Sequence, residues 1–236
     1  DHAVIWPARD GTHAVALCRR ETPDLVLMDL IMPGMDGVEA TRQIMAHTPC
    51  AILVVTASVG ANAARVFDAM GYGAIDAVDT PVLGRGDLQQ SAAAFLHYID
   101  TVAKLVGTRR FIPSADTFSD TWSITRRERL VGIGASAGGP AALTAVLSGL
   151  PKNFPAAVVI VQHVDERFAQ GMADWLGRDS ALPVRVAKEG DRPAAGLVLL
   201  AGTNDHLRFI SPERIGYTSE PREQAYRPSV DVFFAS

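Results

Sequence analysis

Two short segments carry residues whose types and spacing could do chemistry. Asp29 follows the apolar run Leu25-Val26-Leu27-Met28 and precedes the turn-rich stretch Met32-Pro33-Gly34-Met35-Asp36-Gly37. A carboxylate at the carboxyl end of a buried strand sits on rigid backbone yet faces ligands. It can attack a phosphoryl donor while a divalent cation neutralises the crowded oxygens. Taken singly, such an aspartate is more often a turn or helix-capping residue. The second segment is Gly132-Ile133-Gly134-Ala135-Ser136-Ala137-Gly138-Gly139-Pro140. Gly132, Gly134 and Gly138 form a loose dinucleotide-like pattern. Alternatively, Ser136 is a nucleophile on a turn whose backbone N–H groups, at Gly134, Ala137 and Gly138, stabilise an oxyanion. His163, in Gln162-His163-Val164, lies one strand-helix unit further on, where it could act as the base for Ser136.

These residues need a scaffold that brings strand ends to one edge, and the hydrophobic pattern supplies it. Continuous apolar runs at 25–28, 51–55 and 74–78 read as strands covered on both faces. Helical periodicity between them predicts helices over 11–21, 38–46 and 61–70, the last closed by Gly71 as a C-cap, with a longer helix over 88–106. The pattern fades from 107 to 128, which reads as a linker. A second series follows: strand 130–133, helix 140–148, strand 157–161, helix 167–176, then strands near 184–187, 197–201 and 206–210. The expected fold is α/β, with two doubly wound, mainly parallel-sheet domains. Their ranges are 1–106, 107–128 as linker and 129–236. The first residues look like a strand entered partway, which suggests a missing N-terminus.

Asp29 with Met32-Pro33-Gly34-Met35-Asp36-Gly37, and Val54-Val55-Thr56-Ala57 at the next strand end, resemble the response-regulator receiver family, flavodoxin-like in fold. The resemblance implies that Asp29 accepts a phosphoryl group from a histidine kinase. It also implies that Asp29 and the Ile31 carbonyl help to hold Mg²⁺, and that Thr56 is the switch hydroxyl. Two departures stand out. No acidic pair precedes Val4, so Mg²⁺ binding by this chain is expected to be weak or absent. The family's lysine is replaced by Thr80 in Asp79-Thr80-Pro81, and the three lysines, Lys104, Lys152 and Lys188, lie elsewhere. Loss of that cation removes a charge-assisted contact of about 1.5–3 kcal/mol.

The Ser136 segment, Val161-Gln162-His163 and Arg227-Pro228-Ser229-Val230-Asp231 together resemble the chemotaxis protein-glutamate methylesterase family, Rossmann-like in fold. The order of receiver, linker and esterase matches as well. That implies a phosphorylation-regulated hydrolysis of glutamyl methyl esters on methylated chemoreceptor-type proteins, and possible deamidation of glutamines. Ser136 would be nucleophile, His163 base, and the esterase would need no cofactor. An orienting aspartate is expected beyond residue 236, so the chain as given is expected to be nearly inactive; Asp231, Asp205 and Asp165 are not assigned that role. His206 is weighed between a substrate-side role and a surface loop. The Thr80 departure suggests a chemotaxis-like pathway with another output.

Two other classes remain open at this level. A non-catalytic regulatory module is favoured by the Thr80 departure, and a dinucleotide-binding oxidoreductase only by the glycine loop, which lacks an acidic residue at the next strand end to hold a ribose. Composition narrows the partners. Hydrophobic residues make up 48% and charged residues 20%, and a net charge of −4 gives no nucleic-acid footprint. No apolar run reaches membrane-span length, so no membrane insertion is expected. Cys18 and Cys50 lack metal-ligand spacing and read as reduced core residues, which points to the cytoplasm.

Overall fold

A computed structural model describes residues 2–81, 93, 95–96, 99–100, 102, 129–224 and 226–236. In the first half, helix α1 (Gly11–Arg20), strand β1 (Leu25–Met28), helix α2 (Gly37–His47), strand β2 (Ala51–Thr56), helix α3 (Ala63–Gly71) and strand β3 (Asp76–Asp79) alternate. The strands pair in parallel in the order β1-β2-β3, with Met28 opposite Val54 and Thr56 opposite Asp79. Central β2 has Ile52, Leu53 and Val54 wholly buried, as its unbroken apolar run requires. Asp10 and Asp36 cap α1 and α2, accepting the N–H groups of His13 (2.8 Å) and Glu39 (2.9 Å). Cys18 is buried and Cys50 partly so; both are free, and burial pushes the Cys50 thiol up to about 12.

The second half comprises strand β4 (Arg129–Ala135), helix α4 (Gly139–Ser148), strand β5 (Ala156–Gln162), helix α5 (Glu166–Arg178), strands β6 (Val184–Val186) and β7 (Val198–Leu200), a hairpin of β8 (His206–Ser211) and β9 (Arg214–Thr218), and helix α6 (Val230–Phe234). The sheet is parallel, in the order β4-β5-β7-β6, and β5 is buried along its whole length. The hairpin is antiparallel. Tyr217 docks it: its hydroxyl donates to the Ala187 carbonyl (2.9 Å) and accepts the Gly202 N–H (3.0 Å). The architecture is the α/β one expected, with helices packed on two mainly parallel sheets.

Several expectations need correction. Residues 2–8 form no strand. Gly71 ends α3 within the helix, and the left-handed position falls two residues later at Gly73 (φ 109°). The 74–78 strand starts at Asp76: Ala74 still completes the helix exit through its N–H to the Ala69 carbonyl (3.0 Å), while the Ile75 N–H already donates to the Ile52 carbonyl of β2 (2.8 Å). Strand β9 and helix α6 were not anticipated; both are shorter than a clear periodic signal. The 88–106 helix falls mostly outside the described residues, and the 107–128 linker does so entirely.

The halves share one core. Val66, Phe67 and Met70 of α3 join Met172, Trp175 and Leu176 of α5 in a single buried cluster. The Phe67 and Trp175 rings lie 5.9 Å apart. The Asp68 carboxylate accepts from the Trp175 indole N–H (3.0 Å) and from Arg178 (3.2 Å) through the same oxygen. Trp175→Ala should therefore cost about 3 kcal/mol, read as a lower urea midpoint, because it leaves a void between α3 and α5 and strips Asp68 of a donor.

Candidate active site

Strands β4 and β5 run parallel with Ala135 opposite Gln162, so Ser136 and His163 leave the same sheet edge on adjacent strands. The His163 N–H donates back to the Ala135 carbonyl (3.1 Å). The side chains meet: Ser136 Oγ lies 3.1 Å from His163 Nδ1. For the hydroxyl to donate, the imidazole proton must sit on Nε2. Ser136 is exposed and His163 half-buried. Burial is the main influence on His163 and pulls its pKa below the ordinary value, while the charge of Asp231 pushes it partly back up. The imidazole is thus held neutral and ready to take a proton at neutral pH.

The turn after Ser136 is built by two glycines. Gly138 adopts φ 76°, the left-handed conformation that favours glycine, and precedes α4, in whose first turn Pro140 falls. Gly139 donates its N–H to the Ser136 carbonyl (2.7 Å). A Cβ on Gly139 would collide with the side-chain amide oxygen Oε1 of Gln162. Gln162 is buried, and its amide donates to the carbonyls of Ser136 (3.0 Å) and His163 (3.3 Å), tying the two backbones together. Sequence reasoning missed Gln162; its only signal was a polar residue ending an otherwise apolar strand.

The oxyanion candidates separate. Ala137 is exposed on the turn. The Gly138 N–H donates to the Ile75 carbonyl at the entry to β3 (2.9 Å), so the first half occupies it. Gly134 lies inside β4 opposite Val161, where its missing side chain leaves room for Val230. His206 occupies neither of its two expected places. It is fully buried, its Nδ1 accepts the Ser229 N–H (2.9 Å), and its Nε2 donates to the Pro221 carbonyl (3.0 Å). Asp165 caps α5 and pairs with Arg167, which holds its carboxyl below the usual range. Such an engaged carboxylate is poorly suited to holding a ribose.

At the other site, Asp29 follows β1 and is exposed; one carboxylate oxygen accepts the Ile31 N–H (3.2 Å). Thr56 ends β2, buried, and its hydroxyl accepts from the Asn62 amide (2.9 Å). Thr80 donates its N–H to the Thr56 carbonyl (2.8 Å), and Asp79 accepts the Val59 N–H (2.7 Å). Lys104 lies outside the described residues. Among the described residues no three His, Cys, Asp or Glu side chains converge on a cation position. Asp10 is committed to capping α1. Among the described residues, no acidic set complete enough for Mg²⁺ surrounds Asp29.

Between the two halves, beside Ser136, lies a cleft of about 240 Å³, bordered by Ser136, His163 and Phe168 on one side and by Val59, Phe67 and Ile75 on the other.

Fold and geometry define a class: a receiver-type α/β unit presenting an aspartate, joined to an α/β unit with a serine-histidine pair. The CheB methylesterase family model matches residues 131–236, and the response regulator receiver domain model residues 1–92. The chain is 54% identical over 235 residues to the protein-glutamate methylesterase/protein-glutamine glutaminase of group 3 operon of Pseudomonas putida, covering 100% of this chain and 70% of that protein. It is 57% identical over 236 residues to protein-glutamate methylesterase/protein-glutamine glutaminase 2 of Cupriavidus metallidurans, covering 99% and 68%. Among solved structures it is similar to the CheB methylesterase catalytic domain of Thermotoga maritima (33% identity, 45% of this chain and 58% of that one, TM-score 0.43). It is also similar to the response regulator domain of Thermotoga maritima CheB (30%, 43% and 76%, TM-score 0.38). The chain belongs to the protein-glutamate methylesterase/protein-glutamine glutaminase family. It is accordingly a carboxylic ester hydrolase with a receiver domain ahead of the methylesterase domain.

Because His163 is held below its ordinary pKa, kcat/KM should fall on the acid side only as pH drops beneath about 6.5, the usual histidine value. Asp231→Asn removes the nearby negative charge that favours the imidazolium, so the acid limb should move to lower pH. A pH–rate profile of the full-length protein checks both.

Proposed function

We propose that the chain hydrolyses glutamyl methyl esters on methylated chemoreceptor-type proteins, under the control of phosphorylation at Asp29 by a histidine kinase. The observation that carries this reading is the Ser136 Oγ to His163 Nδ1 contact of 3.1 Å at the rim of a cleft that the receiver half closes.

The steps follow from the geometry. Nδ1 takes the Ser136 hydroxyl proton as Oγ bonds to the ester carbon, and the carbonyl electron pair moves to oxygen. The Ala137 and Gly138 N–H groups, at the positive end of α4, stabilise that oxyanion. Its collapse expels methoxide, which takes the proton from His163 and leaves as methanol. Water then gives a proton to His163 and attacks the acyl carbon; Oγ leaves, recovers the proton, and a free glutamate remains. With a side-chain amide the same steps release ammonia, which is the glutaminase reaction in the names of the relatives.

Regulation has a physical basis in the same cleft. The Ile75 carbonyl already accepts the Gly138 N–H, so a substrate oxyanion and the receiver compete for one donor. A cleft of about 240 Å³ is also smaller than sites that enclose whole ligands. Entry of a receptor segment requires α3 and β3 to move away from α5. Asp29, Thr56 and Asp79 share one sheet edge with the loop that leads to α3, so charge added at Asp29 acts on that loop. Mg²⁺ has no fitting set among the described residues, and no step is drawn through it. The substrates and the kinase put the protein in the cytoplasm; among the described residues no helix is long and apolar enough to cross a membrane.

In the full-length protein, Ser136→Ala should lower methanol release from methylated receptor by about 10⁴-fold or more. Retained release in that variant would sink the serine mechanism. Asp29→Asn should abolish labelling by acetyl phosphate. Asp68→Ala removes the acceptor shared by Trp175 and Arg178, and should raise the unphosphorylated rate about fivefold, the equivalent of roughly 1 kcal/mol of lost closure.

A further inference from the structure

We infer that Tyr226 is a positioning residue for the base: its ring lies flat on the imidazole of His163 and holds it in the orientation that meets Ser136. The inference rests on the serine-histidine reading above.

The two rings are nearly parallel, 9° between planes and 4.6 Å between centroids. That is an offset-stacked arrangement of the kind aromatic pairs prefer. It constrains the imidazole about the axis along which Ser136 must be met. His163 has one side-chain hydrogen bond among the described residues, the one to Ser136, so the stack is a second and independent constraint on the same ring. Tyr226 itself is 59% exposed and carries little of the core, so its place on His163 has to be set by the loop.

That loop is anchored. Buried His206 binds it at two points: Nε2 donates to the Pro221 carbonyl and Nδ1 accepts the Ser229 N–H. Both ring nitrogens are satisfied inside the protein, so the histidine is a fixed post between β8 and the segment on either side of Tyr226. Arg227 adds a bond from its guanidinium to the Arg222 carbonyl (2.5 Å). Ser229 continues the anchoring by capping α6 through the Val232 N–H (3.4 Å). The path therefore runs from a buried histidine, through a pinned loop, to an exposed aromatic ring on the base.

The stack also has a chemical consequence. One face of His163 is shielded from water by the tyrosine ring, in keeping with burial as the leading influence on this histidine. Tyr226 thus acts on the orientation of His163 and on its access to water, and needs no hydroxyl to do so.

The test compares Tyr226→Ala and Tyr226→Phe in the full-length enzyme, with Ser136→Ala as the reference, using methanol release from methylated receptor. Tyr226→Ala should lower kcat about tenfold with KM nearly unchanged, because a mis-set base costs turnover more than binding. Tyr226→Phe should restore kcat to within about twofold. Renewed water access in the alanine variant should also move the acid limb of the pH profile upward, toward the ordinary histidine value. A thermal unfolding midpoint matching the parent in both variants shows that the loss is not one of folding. The inference is overturned if Tyr226→Ala keeps the parent kcat and pH profile, if phenylalanine fails to rescue, or if the loss appears only in KM. If Ser136→Ala is itself active, the serine-histidine reading fails and the Tyr226 inference is overturned with it, whereas an inactive Ser136→Ala beside an unchanged Tyr226→Ala overturns the Tyr226 inference alone.

Discussion

The register between β4 and β5 is the constraint on which the rest depends. Ala135 opposite Gln162 makes the next residue of each strand, Ser136 and His163, neighbours at one edge. A shift of one residue would turn His163 to the other face and break its contact with Ser136. The register is secured by the wholly buried β5, by the His163 N–H to the Ala135 carbonyl, and by the Gln162 amide bridging the carbonyls of Ser136 and His163. The Gln162 NH₂ group is satisfied only when it bridges those two carbonyls, which favours this alignment, while its buried Oε1 is left without a partner among the described residues.

The two halves are coupled through packing as well as polar contacts. Phe67 and Trp175 contribute to a core that belongs to neither half alone, while Asp68 and the Ile75 carbonyl add directional bonds at its margin. The division of labour suits an interface that must open. Apolar packing sets the position, and a few bonds exchangeable with water set how easily it is left. In the proposed function the receiver shifts a population between closed and open forms, and its leverage equals its differential affinity for the two.

Buried polar residues mark where the irregular parts are fastened. His206 holds the segment from Pro221 to Ser229, and Tyr217 holds the β8–β9 hairpin through Ala187 and Gly202. Each satisfies both ends of its polar group, which makes these residues anchors and frees the exposed loop beside them to carry Tyr226. Loops so fastened behave as rigid parts of a site despite their exposure.

Much was legible in the sequence because it is local. Apolar runs located the strands, glycines located the turn after Ser136, and the residues after each strand pointed to Asp29, Thr56, Ser136 and His163 as edge residues. What stayed illegible depends on contacts between distant segments. His206 could not be told from a surface histidine, because its partners lie 15 and 23 residues away. Gly134 read as part of an oxyanion turn but is packing space for Val230, and the stacking of Tyr226 on His163 leaves no periodic trace. The closure of the cleft by α3 also needed the tertiary structure, because a hydrogen bond such as that from Gly138 to Ile75 joins two domains whose hydrophobic patterns are each complete without the other. Period and turn chemistry are written along the chain; which edge meets which is decided only when the faces bury each other.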